Sequence, residues 1–281
     1  MLICRSVSEC RDAVAALRKQ GKTIGMVPTM GFLHAGHMSL IETAQSQAEA
    51  VVVSIFVNPT QFGESADLDA YPRNESGDLA MLREAGVGVV FLPEVDTMYP
   101  PGDETIVETT HLANVLHGAV RPGHFRGVTT VVARLFNIVQ PDTAVFGEKD
   151  YQQLQVIKRM VADLHMPVTI IGAPTVRETD GLAMSSRNVR LSAEDRAAAL
   201  VLSRALDAAQ ASTATGTTVA TLSKIITDTI AAEPRASLKG LDIVAAESLT
   251  VIDGPLTGPT AIMISVAFGD ILLIDQRVVT P

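Results

Sequence analysis

The stretch TIGMVPTMGFLHAGH, residues 23–37, decides how this 281-residue chain is read. Residues 23–27 form a short apolar run that stops at a proline, which reads as a buried strand. The stretch then closes on His34-Ala-Gly-His37, and a helical pattern follows over 39–47. A helix that starts near Gly36 aims both imidazoles at its N-terminus, where backbone N–H groups and the positive end of the helix dipole gather. That combination suits a phosphate, and it suits transition-state charge on a phosphate better still. Core histidines, a metal site and a helix cap compete with this use. A zinc site needs a third ligand, and the nearest acid, Glu42, lies more than a turn further on.

Working outward, residues 50–57, 87–92, 143–146 and 168–171 repeat the strand signature: short, rich in Val and Ile, and bounded by turn residues. Helical patterns over 75–84, 128–138 and 152–164 alternate with them. This alternation predicts an α/β fold, a Rossmann-like parallel sheet covered on both faces. Ligands of such sheets bind at the carboxyl ends of the strands, near a switch in strand order. His34 and His37 follow the first core strand, as that rule requires.

The character changes after Thr175. Residues 193–211 and 219–232 read as alanine-rich helices, and 241–252 and 261–274 as strand-like. Gly269-Asp270 is a two-residue hairpin signal. The expected organisation is a Rossmann-like domain over 1–175 and a smaller α+β lid domain over 176–281. Residues 172–176 are the expected hinge.

Bulk properties narrow the function classes. The formal net charge of −9 argues against a nucleic-acid binder, which needs a concentrated basic face. A hydrophobic content of 47% places the chain among globular proteins. Cys4 and Cys10 are the only cysteines and read as ordinary reduced thiols. No run approaches the length of a membrane span, and Arg5 and Glu9 interrupt what a signal peptide would need to keep apolar. The expected location is the cytoplasm.

Four further segments carry candidate chemistry. Gly147-Glu148-Lys149-Asp150 lies between a strand and a helix, with a mobile cation and a potential ribose acceptor; a solvated turn has the same composition. Met184-Ser185-Ser186-Arg187 follows Gly181 and presents two hydroxyls and a guanidinium that suit phosphate oxygens. Gln61, after the second strong strand, and Gln153, after the GEKD turn, each offer a donor and an acceptor for a small polar substrate. Arg121–Gly127 reads as a lid, a carboxylate clamp or a plain helix-capping loop.

Taken together, PTMGFLHAGH, SIFVNPTQF, DLDAYPR, RPGHFRGV, FGEKDYQQLQ and RETDGLAMSSRN resemble the pantoate–β-alanine ligase family, in the family's order, across residues 23–188. The family is similar in its HxGH motif to class I aminoacyl-tRNA synthetases. The resemblance implies an ATP-dependent ligase that forms pantoyl adenylate and pyrophosphate, then passes the acyl group to β-alanine with release of AMP. It implies that the segment Met30, Gly31, Phe32, Leu33, His34, Ala35, Gly36 and His37 holds the ATP phosphates, with His37 the proton donor. His34 and Lys149 then steady phosphate charge. Gly147, Glu148 and Asp150 lie at the nucleotide, Gly147 and Asp150 on its ribose side. The Val176 backbone meets adenine, and Met184, Ser185, Ser186 and Arg187 close over the triphosphate. Gln61 and Gln153 hold pantoate, and Gln61 also lies near β-alanine. Magnesium on the ATP and a homodimer are implied as well, without a named protein ligand for the metal. Ala35 departs from the acidic residue that many members carry between the first histidine and the glycine, and Phe32 stands at another variable position.

Overall fold

Residues 1–63 and 68–281 are described by the computed structural model. Valine and isoleucine runs with no room for a polar face build its central sheet. Val51, Val52 and Val53 are all buried, as expected of a parallel strand covered on both sides. The chain divides into two compact units, Met1–Gly147 with Val156–Ala173, and Glu148–Gln155 with Pro174–Pro281.

The first unit holds six strands: β1 (Leu2–Cys4), β2 (Ile24–Thr29), β3 (Ala50–Ile55), β4 (Val89–Phe91), β5 (Thr143–Gly147) and β6 (Thr169–Ala173). Their order is β1-β4-β3-β2-β5-β6 and every pairing is parallel. The main helices are α1 (Val7–Lys19), α2 (Ala35–Gln47), α3 (Glu75–Glu84) and α4 (His124–Val139), and α5 (Tyr151–Asp163) runs from the second unit into the first. From β2 the chain steps outward through β3 to β4. It then returns through α4 to β5, on the other flank of β2. The strand order therefore reverses between β2 and β5, and the crevice at their carboxyl ends is the switch point of the sheet.

β1 and α1 were not anticipated. Glu9, which broke the apolar N-terminus, completes a capping box. The Ser6 hydroxyl accepts the Glu9 N–H while the Glu9 carboxylate accepts the Ser6 N–H at 3.0 Å. Cys4 and Cys10 are free and buried, and burial pushes the Cys10 thiol up to about 12.

The second unit carries an antiparallel sheet in the order β7 (Ser237–Ala245), β8 (Thr260–Phe268), β9 (Ile271–Val279). The helices α6 (Ala193–Ala198), α7 (Val201–Ala211) and α8 (Val219–Ala231) accompany it. Leu202, Leu206, Leu222, Ile226, Ile262 and Phe268 share its core. Gly269-Asp270 joins paired Phe268 and Ile271 as a two-residue hairpin, with Gly269 at φ +55°. Two expected elements change. The strand read over 241–252 ends at Ala245, because the chain turns at Glu247-Ser248. The single helix read over 193–211 is two: bonds from Leu200 N–H to Ala197 and from Leu202 N–H to Ala199 tighten the backbone there. Alanine favours either winding, so composition does not reveal the break.

Candidate active site

The first strand of the switch point delivers the histidines. β2 ends at Thr29, whose hydroxyl donates to the Ser54 carbonyl of β3 at 2.7 Å and accepts the Gly31 N–H at 3.2 Å. The chain then turns through two left-handed residues, Gly31 at φ +83° and Phe32 at φ +52°. α2 begins at Ala35, one residue before the expected start, with His34 as its N-cap. His34 Nδ1 accepts the Gly36 N–H at 3.2 Å, and His37 Nδ1 accepts the His34 N–H at 3.3 Å. The pair is a capping box built from imidazoles, with ring centroids 4.1 Å apart. A ring whose Nδ1 accepts carries its proton on Nε2, so both histidines are the Nε2–H tautomer.

The helix-cap use of these residues and the phosphate use are therefore compatible: one nitrogen of each ring holds the helix. Several of the backbone N–H groups expected to greet an anion are already engaged. Those of His37 and Met38 bond to the His34 carbonyl, besides the caps just named. Ala35, between the two histidines, is exposed.

β3 delivers Gln61. Asn58, almost fully buried, caps a 3₁₀ turn over Pro59–Gln61. Its Oδ1 accepts the Thr60 N–H, the Thr60 hydroxyl and the Tyr99 hydroxyl, the last at 2.7 Å. Its Nδ2 donates to Gln61 Oε1 and to the Gly127 carbonyl, both at 3.1 Å. The Gln61 amide nitrogen donates to Met30 Sδ at 3.3 Å, which joins this turn to the histidine loop. Tyr99 stands under the Arg134 guanidinium, 4.5 Å from its ring centroid, and burial raises its pKa.

Arg121–Gly127 leads into the same turn. His124 Nδ1 bonds the Gln61 carbonyl at 2.8 Å, and since a carbonyl only accepts, that nitrogen carries the proton. A Cβ on Gly127 would lie 2.4 Å from the Thr60 carbonyl oxygen and 2.7 Å from the Gln61 nitrogen. The segment opens α4 and buttresses the Gln61 turn.

The remaining candidates lie elsewhere in the chain. Gly147 ends β5, the other strand of the switch point. Glu148, Lys149 and Asp150 form a 3₁₀ turn in the second unit, with Lys149 half-buried, and Gln153 is half-buried in the first turn of α5. In that same unit the Met184 N–H donates to the Val176 carbonyl at 3.0 Å, so those two candidates are adjacent. Ser185 Oγ accepts the Arg187 N–H at 3.2 Å, and Ser186 and Arg187 are half-buried. The loop is braced by Arg177, which donates to both oxygens of buried Asp275 at 2.7 and 2.9 Å and to the Gly181 carbonyl at 3.1 Å. Burial works against the Arg177 charge, yet Asp275 outweighs it and raises the pKa.

Sequence reasoning missed Asn58, Tyr99, His124, Arg177 and Asp275 as organisers, and it missed Asp78. Asp78 lies one helical turn before the buried Leu82, on the core-facing side of α3. A carboxylate at a core position was the available signal. The DLDAYPR block starts at Asp67, which lies outside the described residues.

A family model described as pantoate-beta-alanine ligase matches residues 2–278. This chain belongs to the pantoate–β-alanine ligase family. The pantothenate synthetase of Agrobacterium fabrum is 51% identical over 280 residues, covering 99% of this chain and 96% of that one. The crystal structure of pantothenate synthetase from Thermus thermophilus superposes with a TM-score of 0.92 at 47% identity, covering 99% of both chains. A pantoate-beta-alanine ligase from Francisella tularensis, solved in complex with beta-gamma ATP and beta-alanine, matches with a TM-score of 0.80 at 35% identity, over 99% of this chain and 97% of that one. The activity is that of a pantoate–β-alanine ligase, an enzyme of pantothenate synthesis.

Proposed function

We propose that the ligase works through ATP, by adenylating (R)-pantoate and then transferring the pantoyl group to β-alanine, with release of pyrophosphate and AMP. The observation that carries this reading is the imidazole capping box at the switch point of the sheet. It sets both imidazoles on a helix start, at the sheet edge where such folds bind ligands. Support for ATP and β-alanine as ligands comes from the Francisella relative, which was solved with both.

The chemistry suits these residues. A carboxylate does not accept an amine until one oxygen becomes a leaving group, and transfer to the α-phosphate makes it one. The protein's task is to hold two anions together and absorb charge as pyrophosphate departs. We assign the ATP phosphates to Met30–His37, with His37 Nε2–H as proton donor and His34, Lys149 and Arg187 as charge partners. Gly147, Glu148 and Asp150 serve the nucleotide, with Gly147 and Asp150 on its ribose side. Val176 takes the base, and Met184, Ser185 and Ser186 take the triphosphate. Gln61 and Gln153 read pantoate, and Gln61 also lies near β-alanine. Residues 1–175 act as the ATP- and pantoate-binding domain and 176–281 as the lid domain.

Magnesium is part of the proposal as an ATP-bound ion that offsets phosphate charge. Among the described residues no group of three His, Cys, Asp or Glu side chains is set to hold a metal. The ion is therefore assigned to phosphate oxygens and water, as it prefers, and no step depends on a protein ligand for it. A homodimer and a cytoplasmic location complete the reading. No described helix is long and apolar enough to cross a membrane.

The test is ATP–pyrophosphate exchange that requires pantoate and proceeds without β-alanine. Absence of pantoate-dependent exchange in active, folded protein sinks the adenylate route. Lys149→Ala is expected to cut turnover by about 100-fold with the fold preserved, as removal of a charge-stabilising donor does; near-normal turnover removes Lys149 from the mechanism.

A further inference from the structure

The histidine loop is held from behind by a residue far away in sequence. Asp78 is 3% exposed and uses both oxygens on the loop: Oδ2 accepts the Phe32 N–H and Oδ1 the Leu33 N–H, each at 2.8 Å. These bonds fall where the backbone is least ordinary, beside the consecutive left-handed residues Gly31 and Phe32. A phenylalanine at positive φ persists only where its surroundings over-determine it, and a buried carboxylate with two charge-assisted bonds does so. The fit is close: a Cβ on Gly31 would lie 3.0 Å from Asp78 Oδ2 and 3.0 Å from Ile55 Cγ2.

The consequence lies in where the N–H groups point. In a glycine-rich phosphate loop, successive N–H groups converge on the anion. Here the Gly31 N–H goes to Thr29, those of Phe32 and Leu33 go to Asp78, and those of His34 and Gly36 go to the imidazoles. Five of the loop's N–H groups are thus spent inside the protein, and the two imidazoles stand beside them at the helix start.

We propose that Asp78 is a positioning residue for the ligase reaction: by engaging the Phe32 and Leu33 N–H groups it sets the turn that presents His34 and His37 to the ATP phosphates. This rests on the phosphate role assigned above to the start of α2. It does not place Asp78 in contact with substrate.

The deciding variant is Asp78→Asn. An amide keeps one acceptor and turns an N–H₂ toward the second backbone donor. In the pantoate-dependent exchange assay, kcat/KM for ATP falls by about 100-fold, the scale of a small misplacement at a reacting centre, while the KM for pantoate changes by less than about threefold. Leu82→Ala, in the same helix and fully buried, is the control. It lowers the melting temperature and leaves kcat/KM for ATP unchanged below the transition. A folded Asp78→Asn enzyme with normal kcat/KM for ATP overturns the proposal, and so does a Leu82→Ala enzyme with the same kinetic loss. Should Asp78→Asn not fold, amide hydrogen exchange in the wild-type protein decides. Phe32 and Leu33 are expected to exchange as slowly as the neighbouring strand, and exchange at open-loop rates overturns the proposal. If the wild-type enzyme shows no pantoate-dependent exchange, the adenylate reading falls. The protection of Phe32 and Leu33 still reports on the carboxylate clamp separately.

Discussion

Two turns leave adjacent strands of one sheet and are secured by opposite chemistry. The turn after β2 is held by ionic and cap interactions: the Asp78 carboxylate behind it and the imidazole caps of α2 in front. The turn after β3 is held around a neutral amide, with Asn58 at the hub of bonds to Thr60, Tyr99, Gln61 and Gly127, His124 on the Gln61 carbonyl and Arg134 over the Tyr99 ring. The difference follows from what each turn is proposed to meet. A site for a polyanion gains from dipole and imidazole donors and needs their orientation fixed against strong local fields. A site that reads hydroxyl and carboxylate groups needs an amide in one fixed rotamer, and a satisfied network around Asn58 supplies that.

The comparison can be broken from the neutral side first. Gly127→Ala drives a methyl group into backbone atoms of Thr60 and Gln61, which cannot swing aside as a side chain would. It is expected to cost about 3 kcal/mol in urea unfolding, the upper range for overpacking, and to raise the KM for pantoate far more than the KM for ATP. Equal changes in both would show that the two turns are not separately specialised.

On the other side, His34 carries two roles that one pair of variants separates. His34→Asn retains a good N-cap and is expected to unfold within about 0.5 kcal/mol of wild type. Its turnover should still drop by about 100-fold through loss of a charge-stabilising donor. His34→Ala loses the cap as well, for about 1 kcal/mol more. Thermal melts beside exchange kinetics read both; normal turnover in His34→Asn would make the imidazole a cap and nothing else.

The smallest effect sharpens the network around Asn58. Tyr99→Phe removes one bond to Asn58 Oδ1, which still accepts from Thr60. The expected cost is about 1 kcal/mol in urea unfolding, with little change in any kinetic constant. A large rise in the KM for pantoate would move Tyr99 from support to recognition.

Most of the sheet was legible because its evidence is local. A run such as Val51–Val53 declares a strand covered on both faces wherever it occurs, and His34 and His37 do follow β2 at the sheet's carboxyl edge. The start of α2 was read to within one residue. The dependence of the loops on distant partners was not legible. Asp78 reaches Phe32 across 46 positions, and Asn58 reaches the Gly127 carbonyl across 69. Nothing in the periodicity of 75–84 distinguishes a carboxylate that faces solvent from one that faces a loop. The alanine-rich second unit hid its helix break for the same reason, since composition there constrains helicity and not the exact winding.

The sequence by itself determined the strand–helix alternation, the ligase motifs and the residue types available at the switch point, because these depend on neighbours a few positions apart. Tertiary structure alone decided which nitrogen of each histidine is spent on the helix, where the loop's N–H groups point, and what holds Gln61. Those are matters of hydrogen-bond satisfaction among buried groups. A buried donor takes whichever acceptor the fold brings within reach, whatever its distance along the chain.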